Sequence, residues 1–313
     1  MTYLSIKQSG MMATIQDSGR RGLLKDGVSG SGAIDPYAFQ IAQALVGNDS
    51  DSAAIEFAHI GGKYQTSAPT RIAITGGAGD FKIDGQTIYA WQSYWLHPGQ
   101  TLAIGAMRNA VWGYIAFSGG LAVEPVMGSR ATHARTGIGG LDGRQLVAGD
   151  QIPLGYASDA PCRKLASART RMKSTIRVVL GPDIDYFSEK ILTLFQTETF
   201  STSMKRDRMA CLLDGPLLPA AKGHDLISES VLPGTIQVPG SGQPMVLGVD
   251  CQTTGGYPKI ATVISADLPR LMQLPAGQPF HFAAISQDEA EDLMLADREA
   301  LKSALANLQI KPQ

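Results

Sequence analysis

Short apolar runs with the alternation and β-branching of strands recur along the chain, and turn residues separate them. In the first half this pattern predicts strands at residues 4–6, 12–15, 54–58, 71–75, 87–91, 101–104 and 111–117. In the second half it predicts strands at residues 176–180, 235–238, 244–249, 262–265 and 280–285, and an edge strand at 199–203. Many short strands are typical of barrels and sandwiches, so the sequence predicts a mainly β fold.

Helical spacing is restricted to a few segments. Asp35 is placed to cap a helix that begins at Pro36 and ends at Gly47. Residues 186–195 predict a second short helix, and residues 287–308 predict an amphipathic helix rich in Ala, Leu and Glu. The sequence therefore predicts few helices among many strands.

The length of 313 residues fits two domains of ordinary size. A polar stretch between the two series of strands carries little strand pattern and many cations, which are Arg163, Lys164, Arg169, Arg171 and Lys173. We interpret it as a solvated interdomain linker, with guidance of a charged partner as the alternative. The predicted boundaries are residues 1–160 for the first domain, 161–174 for the linker and 175–313 for the second domain.

Composition narrows the class of protein. Hydrophobic residues make up 44% and charged residues 18%, with 35 Gly and 17 Pro, which favours short elements and tight turns. With a net charge of −1 the chain lacks the excess of positive charge that binds nucleic acid or an anionic membrane, so neither is expected as a partner. Cys162, Cys211 and Cys251 show no paired spacing, which fits a reducing compartment. The absence of a leader-like start and of bilayer-length apolar runs predicts a soluble, cytoplasmic protein.

Motifs for several common chemistries are missing. The sequence contains no P-loop, no G-x-G-x-x-G fingerprint, no H-E-x-x-H and no nucleophile elbow. The five histidines are far apart and show no metal-ligand spacing, so we interpret them as structural and predict no metal site.

One stretch, residues 228–259, concentrates polar side chains beside a predicted hairpin formed by residues 235–238 and 244–249. The polar cluster that follows the hairpin consists of Asp250, Gln252, Thr253 and Thr254, and Gly255, Gly256, Tyr257, Pro258 and Lys259 come next. Polar groups crowded at a strand end commonly bind a ligand, and a plain turn built on the two glycines is the alternative.

Arg208, next to Asp207, is a further candidate for ligand binding. A guanidinium group binds two oxygens of a carboxylate or phosphate at once, while a neighbouring carboxylate orients it. A local ion pair at a strand end is the alternative, and for these two residues alone it is the preferred interpretation.

Several unusual strings occur in the order found in one known family. They are Q-D-S-G-R at 16–20, G-V-S-G-S-G-A-I-D at 27–35, L-V-G-N at 45–48, G-S-R-A-T at 128–132, D-R-M at 207–209, I-Q-V-P-G-S-G-Q-P at 236–244 and D-C-Q-T-T-G-G-Y-P at 250–258. Over essentially its whole folded length the chain resembles the allophanate hydrolase subunit 2 family, also called the biotin-dependent carboxyltransferase family. The resemblance implies two cyclophilin-like β-barrel domains with a few short helices, and a subunit-1-like partner protein.

The resemblance also implies site residues. Its second-domain motifs place catalytic candidates at Asp207, Arg208, Asp250 and Lys259. They place substrate-binding candidates at Gln237, Gln252, Thr253, Thr254, Gly256 and Tyr257. The first-domain motifs include Gln16, Asp17, Asp35, Asn48, Glu56, Ser129 and Arg130. Arg208 and Lys259 would stabilise developing negative charge, and Asp207 or Asp250 would orient them or move protons.

Four positions depart from the family pattern. Before Asp207 this chain has Arg206 instead of the usual Ser, and Ala210 replaces the usual Gly. Leu212 lies near the position where the family has an Arg, and Cys251 replaces a second Arg. Because Cys cannot supply a forked cation, a change of substrate is expected.

The family leaves three functions open. In the first, the chain acts with its partner on a small amide or lactam such as 5-oxoproline, and ATP is bound by the partner or at an unfamiliar site. In the second, it transfers a carboxyl group from carboxybiotin to urea or a related amide; the chain has no A-M-K-M string, so another protein would carry the biotin. In the third, it is a non-catalytic regulator like the antagonist of the Kip sporulation-kinase inhibitor.

Overall fold

The computed structural model describes residues 2–167 and 174–311. Contacts divide them into a first unit, residues 2–21, 31–167 and 301–311, and a second unit, residues 22–30 and 174–300. The domain boundaries expected from the sequence stay a prediction. Residues 168–173 of the predicted linker, with Arg169, Arg171 and Lys173, lie outside the described residues.

The first unit is built around one sheet, which has nine strands in the described part of the chain. Its elements up to the predicted linker are β1 Thr2–Gln16, α1 Pro36–Val46, β2 Ala54–Thr66, β3 Thr70–Thr75, β4 Ala78–Ile83, β5 Gln86–Ile88, β6 Ser93–Leu96, β7 Leu102–Arg108, β8 Trp112–Phe117, β9 Gln151–Leu154 and β10 Arg163–Lys164. Strands β5-β4-β7-β2-β8-β3-β6 lie side by side in that order, and β1 pairs with β2 and β9. The buried faces of these strands enclose an aliphatic and aromatic core that includes Ile55, Phe57 and Phe117.

Strand β4 is absent from the predicted strands, and the glycines at its start explain why. The strand begins at Ala78, inside the Gly-rich run 76–79. A Cβ on Gly79 would lie 2.4 Å from the ring of Phe81, so the position needs glycine because of close packing. The strands predicted at 4–6 and 12–15 are one long strand, β1. Gly10, which lies between them, is also needed for close packing, because a Cβ there would lie 2.7 Å from the carbonyl oxygen of Gly61. Strands β6 and β9 were also not predicted.

Helix α1 has the ends that the sequence predicts. The Asp35 carboxylate accepts a hydrogen bond from the backbone N–H of Ala38, with Pro36 in the first turn. Gly47 ends the helix with φ of 76°. The apolar face, which includes Phe39 and Ile41, is buried in a second core of the first unit.

Replacing Asp35 with Ala is expected to lower the stability of the first unit by about 1 kcal/mol, because the buried cap is lost. Urea unfolding followed by tryptophan emission measures this, since Trp91, Trp95 and Trp112, the three tryptophans of the chain, all lie in the first unit. Asp35→Asn keeps a capping oxygen and is the matched control. Equal losses in both variants would contradict the capping role.

The second unit is a closed seven-stranded barrel in the described residues, with the strand order β11-β18-β15-β16-β13-β12-β19. Its elements are β11 Thr175–Leu180, α2 Glu189–Thr197, β12 Phe200–Arg206, β13 Ala210–Asp214, β14 Glu229–Ser230, β15 Thr235–Gln237, β16 Met245–Leu247, β17 Thr254–Gly255, β18 Lys259–Val263, α3 Leu268–Gln273 and β19 Pro279–Ala284. Single-turn 3-10 segments lie at Leu24–Asp26 and Ile184–Tyr186. Stacked and edge-on phenylalanines, among them Phe195 and Phe282, fill part of the barrel core.

The predicted fold class, mainly β with two barrel domains and a few helices, is confirmed, with a closed barrel in the second unit and a half-barrel in the first. The prediction of an edge strand at 199–203 is wrong, because β12 pairs with both β13 and β19 and barrel closure leaves it no free edge. Strand β18 begins at Lys259, earlier than predicted.

The chain ends with helix α4, Gln287–Ala306, and strand β20, Gln309–Ile310. Strand β20 pairs with β10, so Arg163 and Lys164 of the predicted linker lie in a short strand of the first unit. Within residues 2–167 and 174–311, no helix is both long and apolar enough to span a bilayer.

Candidate functional site

The hairpin predicted in residues 228–259 is confirmed and forms the centre of the candidate site. Strands β15 and β16 pair with Gln237 opposite Met245, and β18 flanks β15 with Lys259 opposite Gln237. On the other side β13 flanks β16, with Ala210 opposite Leu247. These registers define two ends of the hairpin, one at Gln237 and the other at Leu247.

The structure divides the predicted catalytic residues between these two ends. Lys259 lies level with Gln237, whereas Asp250 follows the opposite end of β16 and Arg208 precedes β13 at that same end. At the rise of a strand, the two levels are on the order of 10 Å apart. Residues 251–258 connect the two ends and carry the remaining polar candidates.

Arg208 and Asp250 form a buried ion pair. Arg208 Nε donates to Asp250 Oδ2 at 2.7 Å, and Nη2 donates to Oδ1 at 2.9 Å. Their side chains are only 8% and 9% exposed. The backbone N–H of Asp250 also donates to the carbonyl of Arg208 at 3.0 Å. Both oxygens of Asp250 are therefore directed at the guanidinium, and the pair fixes the loop before β13 to the loop after β16.

Asp207 points to its own turn. Its Oδ1 accepts hydrogen bonds from the backbone N–H groups of Met209, at 2.7 Å, and Ala210, at 3.0 Å. The carboxylate thus shapes the turn that presents Arg208.

Lys259 is a buried cation with two carboxylate partners. Its Nζ lies 3.1 Å from Asp183 and 3.0 Å from Glu229, and its backbone N–H also donates to Asp183. Asp183 is buried, but the Glu229 side chain is 60% exposed. Burial lowers the pKa of Lys259, and the hydrogen bonds to Glu229 and Asp183 outweigh this effect, so the pKa is raised overall. Lys259 is therefore a fixed cation, and one of its two carboxylate partners, Glu229, faces solvent.

Gln237 carries an unsatisfied amide beside Lys259. Its side chain is fully buried, and neither Oε1 nor Nε2 has a hydrogen-bond partner among the described residues. A Cβ on Gly255 would lie 2.6 Å from Nε2, so β17 passes directly over this amide. A buried amide costs free energy when it is unpaired, which singles out Gln237 as a group in need of a partner.

The other substrate-binding candidates lie on the connecting segment. Gln252, Thr254 and Tyr257 are exposed, and Thr253 and Gly256 are half-buried. The backbone of this segment serves a structural purpose, because β17 pairs with β14 and the carbonyls of Thr253 and Gly256 accept from Val231 and Leu226, which were not among the candidates. Gly256 is required by space, since its Cβ would lie 2.7 Å from a carbonyl oxygen.

The two departures Ala210 and Cys251 lie in one small apolar cluster with Val231, Leu247 and Met245. Cys251 is 4% exposed, and burial together with the charge of Asp250 raises the pKa of its thiol to about 12. It is a neutral packing residue, in keeping with the small Ala210 beside it.

Arg206, another departure, binds the end of α3. Its guanidinium donates to the carbonyl oxygens of Met272 and Leu274, which a helix leaves unpaired at its C-terminus. The cation stabilises the helix end. The hydrogen bonds described for the Arg206 side chain do not involve Arg208 or Lys259.

In the first unit the motif residue Asp17 organises a loop. Its carboxylate accepts hydrogen bonds from the N–H groups of Gly19 and Arg130 and from the hydroxyl of Ser129. The buried carboxylate thus connects the motif string at 16–20 to the one at 128–132. This explains the presence of Ser129 in the motif and the position of the Arg130 backbone.

A second network joins Glu56, Tyr114 and Asp35. Glu56 Oε2 accepts from the Tyr114 hydroxyl at 2.7 Å and from the backbone N–H of Ile34 at 2.9 Å. The Tyr114 oxygen in turn accepts from the N–H of Asp35. All of these groups are buried, so they fix the chain at the start of α1.

Asn48 and Gln16 also satisfy backbone groups. Asn48 donates to the carbonyl of Phe117 and accepts from the N–H of Gly119, both at 2.8 Å. Gln16 donates to the carbonyl of Thr132 at 3.0 Å. These motif residues hold loops of the first unit together.

Sequence reasoning missed the two partners of Lys259. Asp183 follows Gly181 and Pro182 just after strand β11, and Glu229 lies on the two-residue strand β14. It also missed Asp267, a fully buried carboxylate that binds Arg177 and Arg270 at the start of α3. An acidic residue directly after Gly-Pro was the only signal for Asp183, and no local pattern distinguished Glu229.

The barrel and the motifs at its hairpin are those of one protein class. The chain belongs to the family of the carboxyltransferase domain, subdomain A and B, whose model matches residues 26–284. The resemblance found from the motifs is thereby confirmed. Among curated relatives, the chain is 36% identical to the C subunit of the 5-oxoprolinase of Escherichia coli (strain K12), over 92% of this chain and 93% of that protein. It is 34% identical to the corresponding 5-oxoprolinase protein of Haemophilus influenzae, over 90% of this chain and 91% of that protein.

A solved structure extends the comparison to a larger enzyme. The urea carboxylase of Kluyveromyces lactis is similar with a TM-score of 0.88 and 26% identity, over 96% of this chain but 29% of that chain. These likenesses support a 5-oxoprolinase-like or carboxyltransferase role for the chain, in association with an enzyme.

Proposed function

We propose that the chain is one component of a 5-oxoprolinase, and that it acts with partner subunits on 5-oxoproline or a closely related lactam in an ATP-driven reaction. The observation that carries the proposal is the end-to-end match with the C subunit of 5-oxoprolinase, over 92% of this chain and 93% of the relative. The urea carboxylase, in contrast, is more than three times as long as the matched region, which covers 29% of it. ATP is bound by the partner or at an unfamiliar site.

The chemistry around Lys259 supports a substrate that is both a carboxylate and a lactam. Lys259 shares its charge between buried Asp183 and exposed Glu229, so a substrate carboxylate is able to take the place of Glu229. Next to it, the Gln237 amide offers one donor and one acceptor, which match the C=O and N–H edge of a lactam. Because β17 covers Gln237, the substrate gains access when the β14–β17 pair moves.

In this proposal the Arg208–Asp250 pair positions the loops at the far end of the hairpin. Its two hydrogen bonds leave Asp250 oriented by Arg208, which supports an orienting role. Asp207 supports the turn, and Lys259 stabilises negative charge on the substrate.

Purified together with its partner subunits, the protein is expected to hydrolyse ATP only when 5-oxoproline is present. Two matched compounds test the substrate class, namely 2-pyrrolidinone, which lacks the carboxylate, and proline, which lacks the lactam carbonyl. Neither compound is expected to support ATP turnover. Turnover that does not depend on 5-oxoproline, or that 2-pyrrolidinone supports equally well, would contradict the proposal.

Carboxyl transfer from carboxybiotin to urea or a related amide is the second candidate, favoured by the family and by the likeness to urea carboxylase. It requires a biotin-carrying partner, and an avidin pull-down that captures no such partner with this chain would rule it out. A regulator without catalysis would instead form a tight complex that survives substitution of Arg208, Asp250 and Lys259 and consumes no substrate.

A further inference from the structure

A cavity of about 950 Å³ lies in the first unit, apart from the residues that the family motifs identify. We call it the Trp95 cavity, and its lining residues are Arg71, residues 93–95, residues 159–162, Ile310 and Lys311. Its volume lies within the range of sites that hold drug-sized ligands. Trp95 and Ile310 are large side chains that remain 44% and 68% exposed, so the cavity has an uncovered apolar wall.

The cavity also contains two cations, each placed on an aromatic ring. The Arg71 guanidinium carbon is 5.2 Å from the centroid of the Trp95 ring, and Lys311 Nζ is 3.4 Å from the centroid of the Tyr94 ring. Within residues 2–167 and 174–311, neither cation has a carboxylate at ion-pair distance. Asp159 is the one acidic residue of the lining, so cations outnumber anions there.

Arg71 is a buried part of the cavity wall and still has a hydrogen-bond donor without an acceptor among the described residues. It is 2% exposed, and its Nη2 donates to carbonyl oxygens at Val46 and Ser158. Its Nε has no hydrogen-bond partner among the described residues. Burial lowers the pKa of both Arg71 and Lys311, and the charge of Asp159 offsets this effect at Arg71 only in part.

We propose that the Trp95 cavity is a second ligand site, which binds a flat organic anion of the aryl carboxylate class. The ring of the ligand packs against the exposed part of the Trp95 ring, whose other neighbours are Arg71 and His97, and its carboxylate is bound by Lys311 and Arg71. Stacking accounts for the exposed aromatic wall, and the carboxylate adds a second negative charge beside Asp159 for the two cations.

Cys162 provides a reporter within the cavity. It is half-buried, whereas Cys211 and Cys251 are buried, so iodoacetamide is expected to alkylate Cys162 first. The probe is 2-naphthoate, and 2-naphthamide is its uncharged counterpart of the same shape. We expect saturating 2-naphthoate to slow alkylation of Cys162 about fivefold or more, and 2-naphthamide to have little effect, because only the acid has a charge for Lys311.

Calorimetry on variants identifies the groups responsible. Lys311→Gln and Trp95→Ala are each expected to weaken binding of 2-naphthoate about tenfold, through loss of a charged hydrogen bond and of the stacking surface. Lys82→Gln removes an exposed lysine of the same unit and is the matched control, with unchanged binding. No saturable binding, equal binding of the amide, or unchanged affinity in Lys311→Gln would each overturn the proposal.

Discussion

Replacing Asp250 with Leu is expected to lower the free energy of unfolding of the barrel by about 3–5 kcal/mol, because the buried Arg208 loses the carboxylate that it binds with two hydrogen bonds. The exposure of the two side chains, 8% and 9%, allows water to compensate little of that loss. Tryptophan emission does not report on this unit, since every tryptophan lies in the first unit. Native-state hydrogen exchange of β13 and β16, measured by mass spectrometry, gives the opening free energy of the strands that the pair connects.

The double variant Arg208→Met with Asp250→Leu separates stability from chemistry. Removal of both charges leaves no unpaired ion, so protection in β13 and β16 is expected to return most of the way to the original value. A loss below about 1 kcal/mol in the Asp250→Leu variant would show that the pair is not a buried ion pair in solution. If the double variant folds but lactam-dependent ATP turnover is lost, the pair has a role in activity beyond its contribution to stability.

The parts of the fold that could be predicted from the sequence are those with a local cause. Helix α1 follows from a cap at Asp35, a proline and a terminal glycine, all within one short segment. The β15–β16 hairpin follows from alternation around a turn, and its register confirms it. Strand β4 was missed because Gly79, which meets the ring of Phe81, has the same appearance in a sequence as a turn glycine.

The candidate site could be predicted only in part, because its key contacts join distant residues. Lys259 was found through the motif, but its partners Asp183 and Glu229 are 76 and 30 residues away. A motif also does not tell which end of a strand its residues occupy. Only the register places Arg208 and Lys259 at opposite ends of the hairpin.

The Cys251 departure has a different meaning once its surroundings are known. The sequence suggested the loss of an anion-binding Arg from the site. In the fold, Cys251 and Ala210 share an apolar cluster with Leu247, so both departures lie at packing positions. In the proposed function, an anionic substrate reaches Lys259 by displacing its exposed partner Glu229.

Replacing Lys259 with Met is expected to lower kcat/KM for lactam-dependent ATP turnover by about 10²–10³-fold, the loss typical for removal of a group that stabilises developing negative charge. Lys259→Arg keeps the charge and should retain more activity than the Met variant. Glu229→Gln removes only the exposed partner, so binding of a substrate carboxylate should be kept or improved, which appears as an unchanged or lower KM. Lys222→Met removes an exposed lysine paired with Asp185 in the same unit and serves as the matched control.

The pH profile tests the state of Lys259 independently of these variants. Since the hydrogen bonds to Glu229 and Asp183 keep its pKa raised, the ammonium should stay charged from about pH 6 to 9 and give no alkaline loss of activity there. A raised pKa in the folded state also means that the stability it contributes is complete below the unfolded value of 10.5 and is lost as the pH rises through the folded value. In Glu229→Gln the charge of one partner is gone, so Lys259 should contribute less stability and the loss should be complete at a lower pH than in the original protein. An alkaline limb near neutrality that disappears in Lys259→Arg would instead identify Lys259 as a base, and would contradict its role as a fixed cation.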